Sequence, residues 1–390
     1  MSRRVRVLHL VTRLDLGGAQ RNTLHTVAHL ERSEFEPILA CGRGGILDPE
    51  ARGLEPGVRV RFVPSLVREL SPARDLAALL QLRSLLEAER PDVLHTHSSK
   101  AGVLGRLAAR LAGIPVVVHT FHGFGFHDRQ SAPVRALYLG AERLCAGLAD
   151  RLVFVSRSNM RDAERLGLGE SARRVLIRSG VRLADFPAAA DPAAVKAGLG
   201  LAPGARLVLS VGNLKPQKNP FDLLRAAERV LAEEPAAAFA LVGDGPQRGE
   251  LEAAIRARGL CGRFLLPGWR RDVPALLAAA DVFALSSLWE GLPRALVEAM
   301  KSAKPCVCYA TDGVTDLLEN GRTGLLAAPG DSGALGEGIL RLLRDAELAA
   351  RLGSAAAAAI GPEFDIDGMV RSQEELYRLL LSEKGLRPAR

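Results

Sequence analysis

Trp289-Glu290-Gly291-Leu292-Pro293-Arg294-Ala295-Leu296-Val297-Glu298-Ala299-Met300 follows the apolar, strand-like run Asp281-Val-Phe-Ala-Leu-Ser-Ser287. The two together read as one strand, loop and helix step of an α/β chain. Pro293 fits a first helical turn, where a backbone N–H has no partner in any case, and 295–300 is a good helix former. The unpaired N–H groups of such a turn make an anion site. Glu290 then falls in the loop ahead of the turn, and Glu298 roughly one to two turns inside the helix at about 1.5 Å per residue. Two carboxylate acceptors flank one phosphate cradle, which suits a ligand with a central diphosphate and a hydroxyl-rich ring at each end, as in a nucleotide sugar. The same residues also have a purely structural reading, in which Glu298 pairs with Arg294 or Lys301 on a solvated helix face.

Outward from this step, short β-branched runs alternate with amphipathic stretches along the whole chain, the pattern of parallel sheets flanked by helices. Predicted strands in the first half are 5–11, 58–63, 93–96, 116–120, 152–155 and 175–177, with helices such as 20–30, 73–88 and 100–111 between them. A second set follows at 207–211, 239–242, 264–266, 282–285, 306–309 and 324–327. A length of 390 residues suits two domains. We expect 1–185 and 186–363, with the Ala- and Pro-rich stretch 183–206 as linker and 364–381 as a terminal helix. Open α/β sheets bind ligands beyond the carboxyl ends of their strands, and two such sheets facing each other make an interdomain cleft.

Several motifs fall at those strand ends. Gly17-Gly18 follows the first strand, which either lets backbone approach a phosphate or sugar or is only a tight turn. Gly243-Asp244-Gly245-Pro246 is explained by a glycine turn with Asp244 as a helix-entry acid, and Asp365-Ile-Asp367 by capping of the terminal helix rather than by a metal. His122 follows the 116–120 strand, and Gly123 beside it permits close approach to a ligand. Its imidazole suits contact with a sugar hydroxyl or phosphate, the alternatives being a structural histidine or a metal cluster with His95, His97 and His119. No acidic or Cys residue accompanies those histidines at ligand spacing, so no metal is expected.

Hydrophobic content of 48% with 25% charged residues describes a globular chain. The basic then apolar opening reads as a first strand rather than a signal peptide, and no apolar run reaches the length of a membrane span. The five scattered cysteines read as buried, reduced thiols of a cytoplasmic protein. Of the 52 Lys and Arg and 44 Asp and Glu, residues 1–190 hold 28 and 19 and the remainder 24 and 25, so the net charge of +8 belongs to the first half. Such a surface favours an anionic membrane face or a lipid diphosphate, or is simply solubilising. With no dense basic run and 4% aromatics, nucleic acid is not an expected partner.

Beside the E-x7-E element stand Leu16-Gly-Gly-Ala-Gln20, His95-Thr-His97-Ser-Ser-Lys100-Ala-Gly102, His119-Thr-Phe-His122-Gly-Phe124, Val155-Ser156, Val211-Gly-Asn-Leu-Lys-Pro-Gln-Lys218-Asn, Val242-Gly-Asp-Gly-Pro246 and Gly321-Arg-Thr-Gly-Leu325. In this order they resemble the retaining glycosyltransferases of family 4. The resemblance implies the GT-B fold, an α/β architecture of two Rossmann-like doubly wound domains facing across an interdomain cleft, with the terminal helix (364–390) crossing back onto an acceptor-binding first domain. It also implies Glu298 on the ribose hydroxyls, Glu290 and His122 on the transferred sugar, and the backbone of Gly291 and Leu292 with Lys218 on the diphosphate. The nucleoside base is expected near Trp269 and Val273. Asn213 stands where the family pattern has arginine, removing one charge-assisted contact. The leaving diphosphate is met by N–H groups and Lys218, so no cofactor or catalytic metal is expected.

The resemblance extends to bacterial enzymes of lipopolysaccharide and other cell-surface polysaccharide synthesis. It implies a nucleotide-sugar donor, UDP more than GDP, and a saccharide or lipid-linked acceptor. A cytoplasmic enzyme, peripheral on the inner face of the membrane, fits. The rival readings are a nucleotide-sugar 2-epimerase of similar shape and a non-catalytic nucleotide-sugar binding protein.

Overall fold

The apolar runs of the first half pair as parallel strands β1 (Val5–Val11), β2 (Phe35–Cys41), β3 (Arg59–Phe62), β4 (Val93–His97), β5 (Val116–Phe121), β6 (Arg151–Phe154) and β7 (Arg174–Leu176), in the order β3-β2-β1-β4-β5-β6-β7. Those of the second half form β8 (Arg206–Val211), β9 (Ala237–Val242), β10 (Phe264–Leu265), β11 (Val282–Leu285), β12 (Cys306–Tyr309) and β13 (Leu325–Ala327), in the order β10-β9-β8-β11-β12-β13. Helices cover both sheets, so central strands such as β4, β5 and β12 are buried along their whole length. Cys41, Cys145, Cys306 and Cys308 are buried free thiols, and Cys261 is exposed.

The computed structural model describes residues 3–126, 130–202 and 204–386. Contacts divide the chain into two units, Met1–Gly180 with Ile366–Arg390, and Val181–Asp365. The chain leaves the first unit after Gly180 rather than at 185, because Val181 already forms a parallel bridge with Asp365 of the second. Pro203 of the expected linker and the last four residues of the expected terminal segment lie outside the described residues.

One further expectation needs correction. The 183–206 stretch is not a linker: it contains the helix Pro192–Gly198, whose Lys196 is 3.0 Å from Asp281 at the edge of β11, and it belongs to the second unit. The strand β2, absent from the predicted strands, carries Pro37 inside it. Its pairing with β3 begins only at Ile38, so the missing N–H of Pro37 costs no bond on that side.

Small residues set the closest approaches. A Cβ at Gly102 would overlap the His119 ring, and one at Gly105 would overlap Leu10 and Thr96, so the helix Ser99–Ala112 lies directly on β4 and β5. Ile366–Glu383 is the terminal helix. It buries Ile366, Met369, Val370, Leu376, Tyr377, Leu380 and Leu381 against β1, β4, β5 and β6 of the first unit.

Candidate active site

In the second sheet the strand order reverses between β8 and β11, the position at which α/β sheets open a ligand crevice. The loops leaving these neighbouring strands are fastened to each other. Ser286 donates to the carbonyls of Lys218 and Asn219 at 3.0 and 2.9 Å. Gln217 donates through its side chain to the Trp289 carbonyl at 2.8 Å and accepts from Leu288 N–H at 2.8 Å. Beneath them, a Cβ at Gly243 or Gly245 would overlap the backbone of Gly212 or Leu214, and one at Gly313 would overlap Gly291. The glycine turns thus act as seats for the site loops.

Lys218 and Glu290 are brought together as an ion pair between the two loops. Their side chains are 19% and 7% exposed, so Glu290 is a buried carboxylate with a cation and not a solvated loop residue. Asn213 and Lys218 line one small cavity with Ser210, Gly212 and Ser286. Asn219, in the left-handed region at φ 48°, turns the chain into the helix Pro220–Glu233. It donates at 2.5 Å to buried Asp222, which also accepts from Tyr309 at 2.9 Å.

Gly291 and Leu292 are buried at the entry to the helix Arg294–Lys301, and Glu298 is half-buried within it. Pro293 corrects one expectation: it is the residue before the helix, with extended backbone at φ −75° and ψ 93°, and not part of the first turn. Its fixed φ suits either place, and ψ decides. Val273 starts the helix Val273–Ala279 beyond β10 and does not line the Asn213 and Lys218 cavity. Earlier in the same β10-to-helix segment, the Gly268 carbonyl accepts from Gly243 N–H at 2.9 Å. Trp269 is 41% exposed.

The first unit has its reversal between β1 and β4. Gly17 precedes the helix Gly18–His29 with extended φ, and a Cβ there would press on the Gln20 side chain; Gly18 is exposed. His122 follows β5 with its Nε2 3.1 Å from His97 Nδ1, and both line a small cavity with Asn22, Arg178 and Gln373. His9 and His95 are register partners on β1 and β4, and the ligand atoms of His9, His95 and His97 all lie within 4.8 Å of one another. The third ring beside His95 and His97 is therefore His9. His119 points elsewhere, 2.9 Å from Thr96 Oγ1 under Gly102. Burial pushes His9 down to about 3, and pushes His95, His97 and His119 well below the ordinary histidine range, with their neighbours adding to the effect.

Residues 17–180 match the family described as "Glycosyl transferase 4-like domain", and residues 193–359 match "Glycosyl transferases group 1". Over 346 residues the chain is 35% identical to the UDP-Gal:alpha-D-GlcNAc-diphosphoundecaprenol alpha-1,3-galactosyltransferase of Escherichia coli, covering 88% of this chain and 89% of that protein. The chain belongs to the family 4 glycosyltransferases. This glycosyltransferase is also 30% identical over 330 residues to the putative glycosyltransferase EpsF of Bacillus subtilis, with 81% of each covered. In fold it is similar to HepE of Anabaena, solved with UDP and glucose, at a TM-score of 0.80 and 23% identity over 95% of this chain and 99% of that one. The fold class is accordingly GT-B, and the protein is a hexosyltransferase-type enzyme.

Some motif residues of the glycosyltransferase serve packing. Lys100 holds the Glu69 carbonyl and Asp75, Gly102 makes room for His119, and Ser156 caps the helix Arg157–Arg165 by accepting from Asn159 N–H. Asp367, within the Asp-x-Asp, lies 2.8 Å from His25 in the first turn of the terminal helix. Sequence reading missed His9 and Tyr377, which join His95 and His97 in the first unit. The one available signal was a histidine in the middle of the apolar strand Val5–Val11.

Proposed function

We propose that this glycosyltransferase moves a hexose from a UDP-sugar to a lipid-linked saccharide, with retention at the anomeric carbon and without a metal. The observation that carries the reading is the Lys218 and Glu290 pair fastened between the β8 and β11 loops, a cation and a carboxylate at the strand-order reversal. Lys218 and the N–H groups around Gly291 and Leu292 neutralise the diphosphate. Glu298 accepts from the ribose, and Glu290 and His122 contact the transferred sugar. Departure and attack on one face give retention, the leaving phosphate oxygen taking the acceptor proton.

The UDP donor is supported by the names of the Escherichia coli relative and of the HepE complex, and the lipid-linked N-acetylglucosamine acceptor by the former. Peripheral membrane contact is supported by the basic first half and by exposed Leu76 and Leu80 on one helix face and Leu137 and Leu144 on another. Among the described residues no helix is long and apolar enough to cross a membrane.

A donor screen with and without an N-acetylglucosaminyl-diphosphate lipid tests the reading. Transfer that needs the acceptor and yields an α-linked product from an α-linked donor supports it. An isomerised sugar nucleotide identifies an epimerase, and saturable donor binding without turnover a binding protein.

A further inference from the structure

From His122 a chain of side chains runs into the first unit. His97 Nδ1 is 3.1 Å from His122 Nε2, and His97 Nε2 is 3.0 Å from His9 Nδ1. His9 Nε2 is 3.3 Å from the Tyr377 hydroxyl, which is 2.5 Å from His95 Nδ1, and His95 Nε2 is 2.7 Å from Thr120 Oγ1. The His9 and His97 planes differ by 9° with centroids 5.3 Å apart. Rings so arranged meet edge to edge, with the N–H of one along the lone pair of the next. Ser98, directly after His97, holds a positive φ of 65° with ψ 154°, a conformation strained for a residue with a Cβ, and its hydroxyl is 2.7 Å from Thr12 Oγ1. The end of β4, and with it the His97 ring, is pinned.

A neutral imidazole carries one N–H and one lone pair, so each contact in the chain holds one proton and the tautomer of one ring dictates the next. Burial keeps His9, His95 and His97 neutral. Tyr377 sets the order, because its hydroxyl has one proton and its two ring neighbours stand at unequal distances, 2.5 Å for His95 and 3.3 Å for His9. Either that proton goes to His95, or His95 donates to Tyr377 and the hydroxyl turns to Gln373 Oε1 at 3.4 Å. In both arrangements His9 donates from Nε2 and accepts at Nδ1 from His97, and His97 in turn accepts at Nδ1 from His122. Only a proton given to His9 reverses the series.

We propose that Tyr377, His9 and His97 are positioning residues that hold His122 as its Nε2–H tautomer, and so fix the state in which it meets the bound sugar. The last clause rests on the assignment of His122 to the sugar; the tautomer does not. His9, His95 and His97 also have the spacing of a metal site, yet both nitrogens of each ring already face protein partners.

The test is long-range 1H–15N spectroscopy of the full chain labelled at histidine, on wild type and Tyr377→Phe, which keeps the ring and removes the hydroxyl. Wild type is expected to show His122 as one Nε2–H tautomer, and Tyr377→Phe a mixture of both. In the transfer reaction kcat is expected to fall about tenfold with donor KM changed less than about twofold. An Nδ1–H His122 in wild type overturns the proposal without any variant, as does a tautomer unmoved by Tyr377→Phe. A transition metal recovered in one equivalent and lost in His9→Asn overturns it too. A shifted tautomer with unchanged kcat supports the relay and removes His122 from the sugar site.

Discussion

Lys218→Met leaves the Glu290 carboxylate 7% exposed with its cation gone. Removing one partner of a buried ion pair costs about 3–5 kcal/mol, because the remaining charge stays in a poorly solvated place. With Lys218 itself 19% exposed, we expect the lower end, about 3 kcal/mol. Lys218→Met with Glu290→Gln removes both charges, and the pair of changes is expected to cost about 1 kcal/mol, less than Lys218→Met alone. The molecule supplies its own probe. Trp269 and Trp289 are the two tryptophans of the chain and both lie in the second unit, so urea unfolding followed by tryptophan fluorescence reports that unit. A single variant within about 1 kcal/mol of wild type, or a double variant costing the sum of the two single changes, would refute the reasoning and reduce the pair to a surface contact.

Acid is expected to destabilise the first unit selectively. The folded pKa of His9 lies below its unfolded value, at about 3 against 6.5, so the unfolded chain binds the extra proton and stability falls as pH drops below 6.5. His9 alone gives about 2 kcal/mol by pH 5, with His95, His97 and His119 acting in the same direction. Urea unfolding by circular dichroism at pH 7.5 and 5 checks this; equal midpoints for the transition silent in tryptophan fluorescence would contradict it. Gly102→Ala forces a methyl onto the His119 ring and is expected to cost about 1–3 kcal/mol in the same transition, a neutral result showing that the helix Ser99–Ala112 moves freely off the sheet. Asn213→Arg adds a guanidinium to the cavity shared with Lys218 and is expected to tighten UDP binding by about 1–3 kcal/mol, measured by calorimetry. Weaker binding would mean that asparagine belongs to a rearranged site.

Local pattern made much of this fold readable. The strands Val5–Val11, Val282–Leu285 and Cys306–Tyr309 are where their apolar runs put them, because strands buried on both faces leave continuous hydrophobic segments. Misreadings arose where a local rule met a tertiary exception. Pro37 is tolerated because its neighbour strand starts one residue later, and the Ala- and Pro-rich stretch packs a helix where composition suggested a linker. In the candidate site, Lys218 and Glu290 were each legible from their loops, but their pairing across 72 positions was not. His9 and Tyr377 are 368 positions apart and meet only through the return of the terminal helix, so no spacing announces them.

Acceptor-dependent release of UDP in excess EDTA, measured side by side for wild type and Glu290→Ala, tests the central claim most directly. Wild type is expected to release UDP from its donor only when the lipid-linked saccharide is present and to keep doing so without free divalent ions, while Glu290→Ala falls by about one to three orders of magnitude in kcat. Release that stops in EDTA and returns with magnesium or manganese, or a folded Glu290→Ala enzyme as fast as wild type, would contradict the account.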